Sequence, residues 1–310
     1  MRALVTGGSG FVGRHVCAAL RERGHEVVVA GRAGEDGQVD VAFELADAGS
    51  VRAAVEGAAP DVIFHLAAQA FVPASIRDPM ATYDDNALGT ARLYEALRGL
   101  GSRAPRVVLA SSAEVYGARD PLDYPLQEVL APQPATPYAA SKAAAEAIAL
   151  ASRRTYGVPT IVTRAFNHIG PGQNAQFAVP AFATQIARVA LGTAAIVKVG
   201  NLEAQRDFLD VRDVAAAYVA LADRGVDGEI YNVCSGRPVA LKDVLRRLIT
   251  IAGVPVDVRE EAARMRPSDV PVSYGDPSKL RGAAGWTPRF VLDRSLHDVY
   301  EEALARERVA

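Results

Sequence analysis

The stretch R-A-L-V-T-G-G-S-G-F-V-G, residues 2–13, decides the fold. Residues 2–6 are a short, mostly apolar run, and glycines follow at positions 7, 10 and 13. Residues 14–23 then carry apolar side chains at helical spacing until Gly24. A strand, a glycine-rich turn and a helix in this order are the context in which a glycine motif binds a dinucleotide. The alternative is a glycine turn without a ligand.

Each glycine of this motif has a distinct physical role. Gly7 permits the tight turn, Gly10 lets backbone N–H groups approach a pyrophosphate, and Gly13 lets the helix pack on the strand. The helix N-terminus adds a favourable field for the anion. We therefore predict the pyrophosphate site of a dinucleotide cofactor here.

Further strands alternate with helical patterns along the first half of the chain. Strands are predicted at 26–30, 39–43, 62–66 and 107–110, and helices at 50–57 and 82–100. This alternation predicts an α/β fold with a doubly wound parallel sheet, the Rossmann arrangement. The second half adds predicted strands at 158–164 and 229–233, with a helix at 214–221 between them.

The composition is that of an ordinary globular protein. The 310 residues are 50% hydrophobic and carry a net charge of −2, which predicts no binding to nucleic acid or to a membrane surface. No apolar run reaches the roughly 18 residues of a membrane span, and the N-terminus begins with a strand pattern, so we expect a cytoplasmic protein. Cys17 and Cys234 lack partners at metal-ligand spacing, so we predict buried thiols and no metal site.

Tyr138 and Lys142 lie four residues apart in T-P-Y-A-A-S-K, which places both on one face at the start of a helix. A tyrosine with a pKa of about 10 is a poor acid or base at neutral pH, but a nearby cation lowers the pKa of the phenol. The pair is therefore a candidate for proton transfer. The alternative is a half-buried tyrosine beside a solvated lysine.

Arg32 follows the second predicted strand, where an NAD site usually has a carboxylate for the ribose 2′-hydroxyl. An arginine suits a 2′-phosphate, so the sequence favours NADP(H) over NAD(H). Two alternatives remain: Arg32 is a solvated turn residue, or Glu35 or Asp36 approaches the ribose.

Several motifs together resemble one family, the extended short-chain dehydrogenases/reductases that act on nucleotide sugars. G-G-S-G-F-V-G, H-L-A-A-Q at 65–69, Asn86 and S-S-A-E-V-Y-G at 111–117 are similar to the family's motifs, and the likeness covers the whole chain. It implies a dinucleotide-binding Rossmann domain at 1–165, to which 205–235 returns. It also implies a smaller α/β nucleotide-sugar-binding domain at 166–204 and 236–310.

The resemblance implies a catalytic set of Ser112, Tyr138 and Lys142, joined by Glu114. Ser112 would hydrogen-bond the sugar oxygen, Tyr138 would pass the proton, and Lys142 would hold the nicotinamide ribose. Ser111 is an alternative to Ser112. The implied cofactor contacts, in addition to Tyr138 and Lys142, are Gly7, Gly10, Phe11, Val12, Gly13, Arg32, Glu44, Leu45, Leu66, Ala67 and Ala68. Glu44 stands where the family usually has Asp.

Three segments of the second half resemble the branch of the family that binds GDP-sugars. They are F-N-H-I-G-P-G-Q at 166–173, G-N-L-E-A-Q-R-D-F at 200–208 and M-R-P-S-D-V-P at 265–271. The resemblance implies substrate contacts from Asn86, Ser112, Asn167, Arg206, Arg266 and Asp269. The first segment is otherwise an irregular loop with turn residues, and Asp269 replaces the usual Glu.

The catalytic set alone does not separate a reductase from a dehydratase or an epimerase. Ala113 replaces the acid of dTDP-glucose dehydratases, and Glu114 is either a dehydratase base or a partner for a sugar hydroxyl. The whole pattern implies reduction of the C4 ketone of GDP-4-dehydro-6-deoxy-D-mannose by NAD(P)H. The alternatives are GDP-mannose 4,6-dehydratase, the talose epimer as product, and a non-catalytic nucleotide-binding protein. The family also implies a homodimer through helices near 82–100 and 138–156.

Overall fold

The structure, a computed structural model, describes residues 1–32, 39–264 and 270–309. The strands in these ranges are β1 (Arg2–Thr6), β2 (Glu26–Gly31), β3 (Val41–Ala42), β4 (Val62–His65), β5 (Arg106–Ser112), β6 (Thr160–Ala165), β7 (Asn167–Ile169), β8 (Ile196–Val199), β9 (Gln205–Asp210), β10 (Ile230–Val233), β11 (Pro238–Ala240), β12 (Asp257–Glu260) and β13 (Val272–Ser273).

The α-helices in the same ranges are α1 (Phe11–Glu22), α2 (Ala48–Ala58), α3 (Val72–Arg77), α4 (Pro79–Tyr83), α5 (Gly89–Arg98), α6 (Pro137–Tyr156), α7 (Ala178–Ala190), α8 (Val211–Arg224), α9 (Leu241–Ala252), α10 (Ser278–Ala284) and α11 (Leu292–Glu307). A π-helical turn, Asp84–Leu88, joins α4 to α5. Short 3₁₀ turns occur at Gly101–Arg103, Ala113–Tyr116, Pro121–Asp123 and Ala262–Arg264.

A parallel sheet organises the larger part of the protein. Among the described residues, seven strands run in the order β10-β6-β5-β4-β1-β2-β3, and every neighbouring pair is parallel. The strand order reverses between β1 and β4, and in such sheets ligands bind at the carboxyl ends of the strands beside this reversal. The predicted doubly wound Rossmann sheet is confirmed.

Helices cover both faces of the sheet because successive strand residues point to opposite sides. Leu4 and Val5, adjacent in β1 and both fully buried, belong to different core clusters. Val5 packs in the layer of α1, α8 and α10, and Leu4 packs in the layer of α2, α5 and α6. A sheet buried on both faces therefore fixes the strand ends that carry the site.

The smaller sheets use residues from the second half of the chain. In the described part, β9 pairs with β7, β11 and β13, and β8 pairs with β12. The segment 166–173, predicted to be irregular, contains β7, because Asn167 pairs in register with Phe208 of β9. Of the segment 205–235, β9 lies in this smaller sheet while β10 joins the large one. The division into domains, with 205–235 returning to the Rossmann domain, stays a prediction.

The helix predicted over 82–100 is interrupted at its first turns. The π-helical turn inserts where the Asn86 side chain bonds inward to Gln69 and Ser141. Gly89 then lets the helix approach Leu45 closely, since a Cβ at position 89 would lie 2.8 Å from Leu45 Cδ2. Of the helices described, none combines the length and the apolar character needed to cross a bilayer.

Candidate active site

The glycine turn after β1 has the geometry of a phosphate cradle. Gly7 has a φ of +68°, a conformation that favours glycine. A Cβ on Gly13 would overlap the main chain of Gly7 and Gly8, so only glycine lets α1 pack this close to the turn. Gly10 precedes the first turn of α1, whose N–H groups and dipole suit an anion. These residues fit the pyrophosphate of a dinucleotide.

A cleft of about 560 Å³ runs from this turn along the carboxyl ends of the central strands. It brings together most of the residues that the sequence singled out. These are Gly7, Gly10, Phe11, Val12, Gly13, Arg32, Glu44, Leu45, Leu66, Ala67, Ala68, Ser112, Glu114, Tyr138 and Asn167. Their individual roles stay predictions.

Three charged side chains share the end of the cleft next to β2. Arg32 and Glu44 were predicted there, and Asp85 of the π-helical turn joins them. Burial raises the pKa of Asp85, the neighbouring Glu44 raises it further, and Arg32 opposes both. Any group bound to Arg32 therefore lies in the field of two carboxylates. Glu35 and Asp36, the alternative ribose contacts, lie outside the described residues.

The two serines at the end of β5 have different partners. Ser111 also lines the cleft, but its Oγ donates a hydrogen bond to Glu146 Oε1 at 2.5 Å. Ser112 Oγ accepts from Glu114 N at 3.2 Å and also hydrogen-bonds Tyr138. The structure thus favours Ser112 over Ser111 as the partner of Tyr138.

Tyr138 occupies the first turn of α6, as the spacing predicted. Thr136 caps this helix, its Oγ1 accepting from Ala139 N at 3.1 Å, and Pro137 begins it. Tyr138 is only 8% exposed. Burial raises the pKa of the phenol, and the hydrogen bond with Ser112 opposes this only in part. The net shift is opposite to the lowering predicted from Lys142, so the phenol is protonated at neutral pH.

Lys142 lies one turn further along the same helix face and is 7% exposed. Its Nζ donates to the main-chain O of Ala110 at 2.8 Å. Burial lowers the pKa of Lys142 to about 8, and Glu146 opposes the shift. Lys142 is not among the residues that line the cleft. Its predicted contact with the nicotinamide ribose stays a prediction.

Two predicted substrate residues lie elsewhere. Asn86 is buried, and its amide accepts from Gln69 N at 2.8 Å and donates to Gln69 O and Ser141 Oγ, each at 2.9 Å. It therefore ties α6 to the segment after β4 and does not line the cleft. Arg206 lies on β9, where its guanidinium donates to the main-chain O of Gln205 at 2.9 Å. Arg266 and Asp269 fall outside the described residues.

The segment after β6 is held against the cofactor helix α1. His15 Nε2 and the Pro171 carbonyl O lie 3.0 Å apart, and Arg14 donates to the Gly172 carbonyl at 3.2 Å. The His168 ring stacks on Phe11 with 5.9 Å between ring centroids. Since a carbonyl only accepts, the contact of 3.0 Å between His168 Nδ1 and the Phe166 carbonyl O places the proton on Nδ1. Burial lowers the pKa of His168, so this ring is neutral.

The sequence did not reveal several residues of the cleft wall. Asp85 precedes Asn86, and Gln173 ends the motif at 166–173. Both are adjacent to or part of motifs that predict a site, so the sequence contained a signal for them. Phe177 and Tyr218 carry no sequence signal, because only tertiary packing brings α7 and α8 to the cleft. In the described ranges, no three His, Cys, Asp or Glu side chains converge as metal ligands would.

Comparison with known proteins gives consistent results. A sequence model of the NAD dependent epimerase/dehydratase family matches residues 3–234. The chain is 36% identical over 308 residues to GDP-6-deoxy-D-mannose reductase of Pseudomonas aeruginosa, covering 99% of this chain and 98% of the relative. It is 32% identical to GDP-6-deoxy-D-talose 4-dehydrogenase of Aggregatibacter actinomycetemcomitans, covering 98% of each. The solved structure of RMD from Pseudomonas aeruginosa complexed with NADPH matches with a TM-score of 0.88, 35% identity, and coverage of 99% of this chain and 100% of that one.

Proposed function

Because the chain belongs to the NAD dependent epimerase/dehydratase family, within the short-chain dehydrogenases/reductases, we propose that it reduces the C4 ketone of GDP-4-dehydro-6-deoxy-D-mannose with NAD(P)H. The product is GDP-6-deoxy-D-mannose, also called GDP-D-rhamnose. The observation that most strongly supports this proposal is the Tyr138 phenol, which is buried, protonated and hydrogen-bonded to Ser112 in the wall of the cleft. The likeness to the Pseudomonas aeruginosa reductase supports the choice of substrate.

The reaction needs a hydride on C4 and a proton on its oxygen. When bound, the reduced nicotinamide supplies the hydride. Tyr138 gives its phenolic proton to the ketone oxygen, while Ser112 donates a hydrogen bond to the same oxygen. A raised pKa of Tyr138 keeps this proton in place until the oxygen gains negative charge. The Lys142 ammonium, one turn away, stabilises the resulting phenolate until a proton from solvent restores it.

The proposal assigns substrate binding to residues 166–204 and 236–310 and to Arg206 of β9. In it, Asn167 contacts the sugar or the diphosphate, and Arg206 and Arg266 bind phosphate oxygens as planar guanidinium groups can. Asp269 contacts the nucleotide. The inward bonds of Asn86 support a positioning role for this residue in place of the predicted substrate contact.

We propose NADPH as the preferred cofactor. Arg32 at the end of β2 supports this choice, because a guanidinium suits a 2′-phosphate. The nearby carboxylates of Glu44 and Asp85 weaken its field. We therefore expect a preference of moderate size rather than exclusion of NADH.

In addition to hydride transfer and the set of Ser112, Tyr138 and Lys142, a dehydratase needs an acid and a base. Ala113 supplies no acid, which favours the reductase over a 4,6-dehydratase of the dTDP-glucose type. Glu114 remains in the cleft, and we assign it to a sugar hydroxyl.

The proposal includes a homodimer in the cytoplasm. Ile76, Met80 and Leu88 are 58%, 72% and 52% exposed around α3, α4 and the π-helical turn, which supports an interface there together with α6. Cys17 and Cys234 are free and buried, as is common in reducing compartments. Light scattering on the wild type and on Met80→Asp tests the dimer: a wild-type monomer would contradict it.

The deciding experiment supplies GDP-4-dehydro-6-deoxy-D-mannose with NADPH or NADH and follows nicotinamide oxidation. A parallel reaction contains GDP-mannose alone. Oxidation with the ketosugar only supports the reductase, and NMR of the product distinguishes the rhamnose from the talose configuration. Ketosugar formed from GDP-mannose without net cofactor consumption would refute the proposal and identify a dehydratase.

A further inference from the structure

Gln173 lies in the wall of the cleft between the cofactor motif and the substrate half. Its side chain is 8% exposed, and its Nε2 donates to the His168 carbonyl at 3.0 Å. Its Oε1 is buried and has no hydrogen-bond partner among the described residues. Neither Gln173 nor its amide oxygen has a role in the mechanism above.

The orientation of this amide follows from its neighbour. A main-chain carbonyl accepts hydrogen bonds and cannot donate them, so the NH₂ group must face His168 O. Exchanging the two amide atoms would place two acceptors in contact. The atom without a partner is therefore the carbonyl oxygen.

The surrounding turn is fixed, so the unpaired oxygen is not the result of a loose segment. Arg14 and His15 hold the carbonyls of Gly172 and Pro171 at 3.2 and 3.0 Å. Gly172 N also donates to Glu302 Oε2 of α11 at 2.7 Å. Contacts from α1 and α11 thus hold the turn that carries Gln173.

A buried acceptor without a donor destabilises a folded protein, and such groups are rare in native structures. Here the group belongs to a residue that lines the ligand cleft. A ligand that supplies the missing donor would recover the lost hydrogen bond on binding.

We propose that Gln173 is a ligand-binding residue whose Oε1 accepts a hydrogen bond from an N–H or O–H group of the molecules that fill the cleft. The inference rests on the proposed function for the identity of these molecules. The donor is either a carboxamide N–H or ribose hydroxyl of the cofactor, or a hydroxyl of the GDP-sugar. A modest rotation of the amide accompanies binding, because Oε1 is covered.

The test replaces the amide by an apolar group of similar size in Gln173→Leu and Gln173→Met. Gln176→Leu is the matched control, since Gln176 is exposed three residues further along the chain. Dissociation constants are measured for NADPH, and for GDP-mannose in the presence of NADP⁺. Melting temperatures are measured without added ligand.

We expect both Gln173 variants to weaken one of the two ligands about tenfold, with melting temperatures within the range set by the control. The weakened ligand identifies the source of the donor. If Gln173→Leu aggregates, Gln173→Met decides alone. Unchanged affinity for both ligands would overturn the inference. So would a loss of affinity that is matched by a large fall in melting temperature, because it would assign Gln173 a structural role only.

Failure of the proposed function gives a different result. A wild-type protein that neither reduces the ketosugar nor binds GDP-mannose would refute the substrate assignment. The NADPH titration of the Gln173 variants would then decide the inference on its own.

Discussion

Glu146→Gln tests whether a buried ion pair supports Lys142, the proposed catalytic lysine. Glu146 accepts hydrogen bonds from Arg164 Nη2 at 2.8 Å and Nε at 3.0 Å, and from Ser111 Oγ at 2.5 Å. The side chains of Arg164 and Glu146 are 2% and 4% exposed. The carboxylate thus joins α6 to β5 and β6 directly behind Tyr138 and Lys142. Glutamine keeps the shape but leaves Arg164 as a buried cation.

The structure sets the size of the expected loss. Removing one partner of a buried ion pair typically destabilises a protein by about 3–5 kcal/mol. The remaining amide oxygen and the carbonyls of Glu128 and Leu130, 3.5 and 3.4 Å from Arg164 Nη1, offset part of this. We therefore expect a loss near the lower limit, about 3 kcal/mol, measured as a lower urea midpoint with an unchanged slope.

A second readout concerns Lys142. Glu146 raises the pKa of this lysine against the effect of burial, so its removal lowers the pKa further below about 8. The basic limb of the pH profile of kcat/KM, which reports the free enzyme, moves to lower pH.

The folded pKa of Lys142 lies below the unfolded value of 10.5. The charge of this lysine therefore opposes folding below pH 8, and this effect disappears as the pH rises toward 10.5, so the unfolding experiments belong at pH 7.

Glu95→Gln is the matched control, because it makes the same change in the exposed Glu95–Arg98 pair of α5. We expect it to leave both the urea midpoint and the pH profile close to those of the wild type. The reasoning is refuted if Glu146→Gln resembles this control in both readouts.

Three further substitutions test the site. Tyr138→Phe should lower kcat by about 10²–10⁴-fold while NADPH binding persists, and Tyr156→Phe, on the exposed end of the same helix, should keep full activity; turnover of the first variant at the wild-type rate would overturn the proton-transfer role. Arg32→Ala should weaken NADPH by about tenfold or more and NADH far less in fluorescence titrations, and equal effects on both would count against a phosphate contact. His15→Ala should raise KM for the sugar nucleotide more than it lowers kcat, because it frees the segment after β6, and a KM equal to that of the control His25→Ala, a histidine that does not line the cleft, would contradict this coupling.

The large sheet was predictable because its evidence is local. The glycine motif, the apolar runs and the four-residue spacing of Tyr138 and Lys142 each depend on neighbours in sequence. The strand predicted at 26–30 is observed at Glu26–Gly31, and the strand predicted at 229–233 at Ile230–Val233. Because successive residues of a strand point to opposite faces of the sheet, buried strands also predict a helical layer on each face.

The differences arise where distant residues decide the outcome. β7 forms because β9, some 40 residues later, offers it a parallel partner. The bonds of the Asn86 amide to Gln69 and Ser141 likewise depend on distant residues, while its contact with the substrate, implied by resemblance, stays a prediction. The direction of the pKa shift of Tyr138 was wrong because spacing shows the nearby lysine and does not show the burial of the phenol.

The strand order also has a consequence for folding during synthesis on the ribosome. β6 is buried at every position and needs β10 as its outer neighbour. The ribosome must, however, add residues 166–233 after β6 before β10 is complete. At about 5–20 residues per second, synthesis of this stretch takes several seconds. During that time the nascent sheet presents an uncovered hydrophobic edge, which is the kind of surface that chaperones bind and that promotes aggregation.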